Sequence, residues 1–284
     1  MKTPLIQITR TGKSTERAGF PVKLIWRGSR PFWKMRRKMK SNTPIKELQK
    51  LRLYYTLENW DEIIKEADKE NLSYSRFLIQ IIGMENKSKL ERERLARIGR
   101  ARIPTEYSIE TYPFELQPKL NRKKIMEAYD SMNYIGENKN LLFIGPTGCG
   151  KTGLSTAFLT HSLNHGYKGR FIDFSELIHI LYKSRADHTE QKIVGQFVRY
   201  DVLLIDELGY ISCQKEQASL FFDLLRRRHE KSATIITTQL GFDEWGNFLH
   251  DPHIVAALLD RMTSNCIIFN MKDCQSIRGK KVQY

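Results

Sequence analysis

Gly145-Pro146-Thr147-Gly148-Cys149-Gly150-Lys151-Thr152, directly after Leu141-Leu142-Phe143-Ile144, decides how the rest of the chain is read. Four residues separate Gly145 from Gly150-Lys151-Thr152, which is the Walker A spacing. A short apolar run that reads as a buried strand precedes the loop, and a helix-forming segment follows it. Glycines let such a loop curl so that successive N–H groups converge on an anion at a helix N-terminus. Lys151 then reaches the β- and γ-phosphates, and the Thr152 hydroxyl is the type of ligand magnesium takes. A chance glycine-rich turn would not require strand, loop, Lys-Thr and helix to agree. The stretch from Gly145 to Thr152 therefore implies a nucleoside triphosphate site.

A second motif lies 55 residues beyond the Walker lysine. Asp201-Val202-Leu203-Leu204-Ile205-Asp206-Glu207 is a buried-strand pattern that delivers two acids at its C-terminal end, where open α/β sheets bind ligands. Asp206 fits a magnesium ligand acting through water. Glu207 fits a base that orients and deprotonates an attacking water. Taken alone, the same letters would suit a strand-end pair capping the next element. A base poised for water suits an NTPase, whereas a small-molecule kinase excludes water with a lid. Neither a lid arginine cluster nor a substrate-binding insertion is legible. Nucleotide binding without turnover stays open.

Thr234-Ile235-Ile236-Thr237-Thr238-Gln239 is another strand with a polar exit. Thr238 or Gln239 is placed to bond the γ-phosphate or the lytic water, although a plain strand-to-loop exit has the same composition. Arg261, in Leu259-Asp260-Arg261-Met262, fits two roles. It complements a helix C-terminus, or it acts as an arginine finger on a neighbouring subunit's nucleotide.

Composition bounds the rest. A chain of 284 residues accommodates one α/β domain and a smaller appendage. No apolar run approaches the roughly 20 residues of a membrane span, and the N-terminus lacks the apolar core of a secretory leader. Cys149, Cys213, Cys266 and Cys274 form no C-x-x-C pair, which points to free thiols in a reducing cytoplasm. The net charge is +15, but residues 1–40 hold 12 of the 47 Lys and Arg against one acid, Glu16. That tail, residues 1–42, reads as poorly ordered. It fits a basic arm for DNA phosphates, and equally an upstream extension, with Met35 and Met39 just before the first convincing helix.

Residues 43–104 read as a helical N-terminal domain. Leu57, Trp60, Ile63, Ile64 and Ala67 recur at helical spacing, and Ser73 caps a helix carrying Phe77, Leu78, Ile81 and Ile82. Its continuation is rich in Lys and Arg, including Arg97 and Arg100, until Pro104 ends it. This is a solvated charged face or a phosphate-contacting surface. Residues 105–139 are a connector with a helix over 122–132. From 140 to 284 strands at 141–144, 170–174, 202–205, 234–237 and 266–270 alternate with helices at 152–164, 175–183, 191–198, 217–229 and 253–262. The pattern is α/β, a parallel sheet covered on both faces.

The two Walker segments, the Thr234–Gln239 strand and the run from Trp245 to Arg261-Met262 resemble the IstB-like ATP-binding proteins of insertion sequences. These are AAA+ P-loop ATPases close to the DnaC-type helicase loaders. The resemblance covers residues 43–279. It implies a five-stranded sheet in the order 5-1-4-3-2, a small helical domain before it and no C-terminal lid domain. It implies ATP and Mg2+ as cofactors and an ATP-dependent homo-oligomer on duplex DNA of low sequence preference. It also implies stimulation of a partner transposase. By the resemblance Arg261 is the finger acting in trans, Gln239 the first sensor and Arg278 a second sensor. DNA contacts fall after the second strand, on Lys183, Arg185 and Lys192. The runner-up, a replicative helicase loader of the DnaC or DnaI type, shares the chemistry and differs in partner. It would bind single strands by aromatic stacking, whereas the basic helix suits duplex phosphates.

Overall fold

The computed structural model describes residues 44–210, 212–249 and 252–278. The basic tail, residues 1–42, lies outside the described residues. The chain divides after Glu85 into two compact units.

The described part of the first unit is helical. It comprises α1 (Ile45–Lys50), α2 (Tyr54–Glu58), α3 (Trp60–Lys69) and the start of α4 (Tyr74–Ala101), a 28-residue helix. Leu48, Leu57 and Ile63 are buried apolar side chains of this unit, and Thr56 and Glu85 are buried polar ones. Among them the Glu85 carboxylate accepts from the Thr56 N–H at 2.9 Å and its hydroxyl at 3.1 Å. Ser73 precedes α4 as expected, its carbonyl closing the first turn on Phe77 N–H. The helix ends at Ala101, where Arg102 turns to left-handed backbone at φ 56°, two residues before Pro104.

In the second unit, α5 (Arg122–Ser131) and the short α6 (Asn133–Gly136) lead into the sheet. Chain order then runs β1 (Asn140–Ile144), α7 (Lys151–Asn164), β2 (Gly169–Asp173), α8 (Phe174–Ala186), α9 (Glu190–Val198), β3 (Val202–Leu208) and α10 (Lys215–Arg228). It closes with β4 (Ala233–Thr238), α11 (Trp245–Leu249), α12 (Pro252–Thr263) and β5 (Cys266–Asn270). All four strand pairings are parallel, in the order β2-β3-β4-β1-β5, the expected 5-1-4-3-2 read from the other edge.

Strand side chains alternate between faces, so the apolar runs feed two cores. Leu141, Phe143, Leu204 and Ile235 pack with Leu154, Phe158 and Ile125 of α7 and α5. Leu142, Ile144, Leu203, Ile205 and Ile236 pack with Leu177, Phe221, Trp245 and Leu258 on the other face. Continuous hydrophobic strands are what a doubly covered parallel sheet requires. Among the described residues no helix is long and apolar enough to cross a membrane.

Two features depart from simple strand-and-helix alternation. The five-residue α11 and two single-turn 3-10 helices, Ile109–Thr111 and Phe114–Leu116, occupy stretches with no clear sequence period. Strand β3 also runs to Leu208, past the two acids, through a bulge. Ile205 faces Ile236 and Leu208 faces Thr238, so Asp206 and Glu207 together stand against Thr237.

Candidate nucleotide site

The loop between β1 and α7 turns on two glycines with left-handed backbone, Gly148 at φ 86° and Gly150 at φ 90°. A Cβ at Gly150 would lie 2.6 Å from Cε2 of Tyr112, and one at Gly148 would meet the Ser276 hydroxyl. Only glycine fits either position, by conformation and by space. Lys151 Nζ donates to the carbonyls of Gly145 at 2.8 Å and Pro146 at 2.9 Å. Burial lowers the Lys151 pKa, against the opposing pull of Asp206 and Glu207. Cys149, within the loop, is buried against the core, and burial raises its thiol pKa.

Helix α7 presents Thr152 in its first turn. Its hydroxyl donates to Asp206, 3.2 Å from Oδ1 and 3.0 Å from Oδ2. The Thr237 hydroxyl donates to Asp206 Oδ1 and accepts the Glu207 N–H at 3.0 Å. Asp206 is 3% exposed. Burial raises its carboxyl pKa, and the bonds from Thr237 and Thr152 oppose that rise. Glu207 adopts φ 57° at the bulge and is exposed to solvent, while Asp206 beside it is buried. The bulge thus gives two adjacent acids different environments: one buried against a hydroxyl pair, one facing water.

Beside them Thr147 Oγ1 donates to Gln239 Oε1 at 3.1 Å. Thr238 is fully buried, donating to Leu208 O at 2.8 Å and accepting Leu240 N–H at 3.0 Å. Both candidates at this strand exit line the cleft, but the Thr238 hydroxyl is committed to these bonds, whereas the Gln239 side chain meets Thr147. Asp173, at the end of β2 and paired in register with Asp206, is a third acid at this edge. Its pKa is raised by burial and then by Asp206 and Glu207.

A cleft of about 300 Å³ is lined by Thr147, Lys151, Thr152, Glu207, Thr237 and Gln239. One wall is the connector, with Tyr107 and Tyr112; another is the C-terminal segment, with Ile277 and Arg278. Tyr112 donates its hydroxyl to Cys149 O at 2.8 Å. Sequence reading named Arg278 but missed the connector wall. Its aromatic residues had no period, and their only signal was their density before β1.

Arg261 is elsewhere. It borders a small depression with Asn140, the first residue of β1, and Thr234, near the start of β4. Thr152 and Asp206 stand at the opposite, C-terminal ends of these parallel strands. Arg261 Nη1 donates to Ala257 O at 2.9 Å, and the guanidinium lies 5.2 Å from the Phe222 ring centre. Lys183 and Arg185 on α8 and Lys192 on α9 are exposed, as is Arg100. Arg97 donates through Nε to Leu163 O at 3.0 Å, at the C-terminal turn of α7.

Residues 46–283 match the family model described as IstB-like ATP binding protein. The chain belongs to this IstB-like ATP-binding family. It is 32% identical to an ATP-binding protein of insertion sequence IS5376 from Geobacillus stearothermophilus, over 82% of this chain and 93% of that one. It is 30% identical to an ATP-binding protein of insertion sequence IS21 from Pseudomonas aeruginosa, over 79% and 84%. Solved structures similar to it include the DnaC helicase loader, at 22% identity, 61% and 97% coverage and a TM-score of 0.47. DnaI is similar at 19% identity, 58% and 90% coverage and a TM-score of 0.48.

The IstB-like site suits ATP by its own geometry. The loop turns on glycines that no side chain could replace, and Lys151 and Thr152 line the cleft beside it. Thr152 and Asp206 offer the hard oxygen donors magnesium takes beside phosphates and water.

Proposed function

We propose that this chain is an ATPase that assembles as a homo-oligomer on duplex DNA and stimulates a partner transposase, with hydrolysis at intersubunit sites in the cytoplasm. One observation carries the reading. Thr152, Asp206 and Glu207 converge at one end of the sheet, while Arg261 stands at the other. A head-to-tail contact between copies would bring the finger of one subunit to the nucleotide of the next.

Lys151 and the loop N–H groups bind the β- and γ-phosphates. Glu207, facing solvent beside the buried Asp206, takes a proton from the attacking water. The water oxygen bonds to the γ-phosphorus as the bond to the β–γ bridging oxygen breaks, leaving ADP and phosphate. Mg2+, held by Thr152 and Asp206, would neutralise charge on the β- and γ-phosphates. Gln239 orients the water or the γ-phosphate, Arg278 adds charge in cis, and Arg261 adds it in trans.

Lys183, Arg185 and Lys192, with Arg100 and Arg97, form the DNA-contacting set. Phosphate contacts of this kind position without reading sequence. In this reading residues 43–104 serve DNA, partner and subunit contacts, residues 105–139 connect, and residues 140–284 form the ATPase domain. The insertion-sequence relatives favour a transposase partner over a replicative helicase.

Light scattering with ATP and duplexes of unrelated sequence tests the proposal. Assembly should require ATP and duplex, be indifferent to sequence, and weaken steeply with salt through counterion release. A preference for single strands would favour the loader reading, and no ATP-dependent assembly would refute the proposal.

A further inference from the structure

The C-terminal segment Met271–Arg278 reaches the nucleotide loop through contacts that follow from no motif. Met271 N–H donates to Ile144 O at 2.6 Å, and Ile277 N–H to Gly148 O at 3.0 Å. Between these two anchors the chain is tied at Gln275. Gln117 Nε2 donates to Gln275 O at 2.6 Å, and Gln117 Oε1 accepts the Gln275 N–H at 2.9 Å. One side-chain amide thus closes a two-bond ring with a backbone 158 residues away, as a neighbouring strand would. Gln117 is 2% exposed, so its amide has little access to bulk water and relies on these partners.

The segment so held forms one wall of the cleft. Ser276 occupies the space beside Gly148, Ile277 reaches towards Gly150, and Arg278 lines the cavity with Lys151 and Gln239. The positive charge of Arg278 is also felt at Lys151, whose pKa it helps to lower.

We propose that Gln117 is a positioning residue of the ATP site. Its reciprocal pair with Gln275 fixes the C-terminal segment over the phosphate loop and holds Arg278 in register with the triphosphate. Gln117 touches no nucleotide; it acts through Arg278. Met271 and Ile277 add backbone bonds at the two ends, and Met271, Cys274 and Ile277 pack against the core, while the Gln117 pair holds the backbone immediately before Ser276 to a side chain of the connector. This inference rests on the reading of Arg278 as a nucleotide contact.

The test is titration of a fluorescent ATP analogue against the full chain carrying Gln117→Leu, Arg278→Ala or both. Gln117→Leu keeps the side-chain bulk and removes both bonds. Gln275→Pro removes the N–H that Gln117 accepts, at an exposed position that spares the core. We expect Gln117→Leu and Gln275→Pro each to weaken binding about tenfold in the wild-type background. In the Arg278→Ala background Gln117→Leu should weaken it less than about twofold, because coupled residues are not additive. Wild-type affinity in both Gln117→Leu and Gln275→Pro, or a full tenfold loss from Gln117→Leu when Arg278 is already removed, overturns the inference. Wild-type affinity in Arg278→Ala alone would instead overturn the nucleotide role of Arg278, and the inference with it.

Discussion

The Thr237 hydroxyl donates to the Asp206 carboxylate and accepts the Glu207 N–H at 3.0 Å. One β4 side chain therefore holds both acids of β3, at the bulge where they stand opposite it. Thr237→Val keeps the shape and removes both bonds. ATP hydrolysis should fall by about 10- to 100-fold, as for losses of groups that orient metal ligands, with ATP affinity changed only a few-fold. Steady-state kinetics and a binding titration separate the two. Unchanged turnover would mean that Thr237 is packing alone.

Glu207 faces solvent at a left-handed backbone position and is the group assigned to activate water. Glu207→Gln should bind ATP normally and lose roughly 10²- to 10⁴-fold in hydrolysis, the usual range for a general base. Its ATP-dependent assemblies on DNA should then outlast those of the wild type. A variant that hydrolyses at the wild-type rate removes this assignment.

Asp206 gives a pH signature. Burial raises its folded-state pKa above the unfolded value, so the fold binds this proton more tightly than the unfolded chain does. Without metal or nucleotide, the stability from this group is present at low pH and is lost as pH rises through the raised folded pKa. Metal binding runs the other way, since magnesium requires the carboxylate. Thermal stabilisation by Mg-ATP should thus weaken, as pH falls, at a higher pH than an ordinary aspartate would give. Asp206→Asn should abolish both dependences, and a variant titrating like the wild type would contradict the account.

Arg228 is 1% exposed and donates to the carbonyls of Phe197, Tyr200 and Ala233 and to Thr234 Oγ1. It ties α9, α10 and β4 together at the N-terminal end of the sheet. Burial pushes its pKa down to about 9. Arg228→Met leaves three carbonyls without that donor and should cost about 3 kcal/mol or more, at roughly 1–3 kcal/mol for each buried group left unpaired. Denaturant unfolding measures this. A midpoint shift corresponding to under about 1 kcal/mol would show that the carbonyls find other donors.

Legibility in the sequence followed the range of the interactions. The strands could be read because Leu141–Ile144 and Val202–Ile205 are apolar on both faces. The phosphate loop could be read because its chemistry lies within eight consecutive residues. Arg261 and Arg278 were nameable through family resemblance. Gln117 and Gln275 were not, because a pair 158 residues apart leaves no local pattern. Arg228 is the last of three consecutive arginines at the end of α10, with no local pattern to set it apart, and it is buried by contacts with Phe197, Tyr200 and β4. The bulge was hidden too, since Asp206 and Glu207 read as a strand end until the pairing with β4 shows the strand continuing to Leu208.

The central claim is that ATP is hydrolysed between subunits. Mixing Glu207→Gln with Arg261→Ala at equal concentration, with ATP and duplex DNA present, tests it most directly. Glu207→Gln still binds ATP and assembles but lacks the base, and Arg261→Ala lacks the finger, so each should be nearly inactive alone. If Arg261 acts on the neighbouring site, random co-assembly restores about a quarter of the interfaces, and about that fraction of wild-type turnover should return. A mixture no more active than the sum of its two parts would contradict the account.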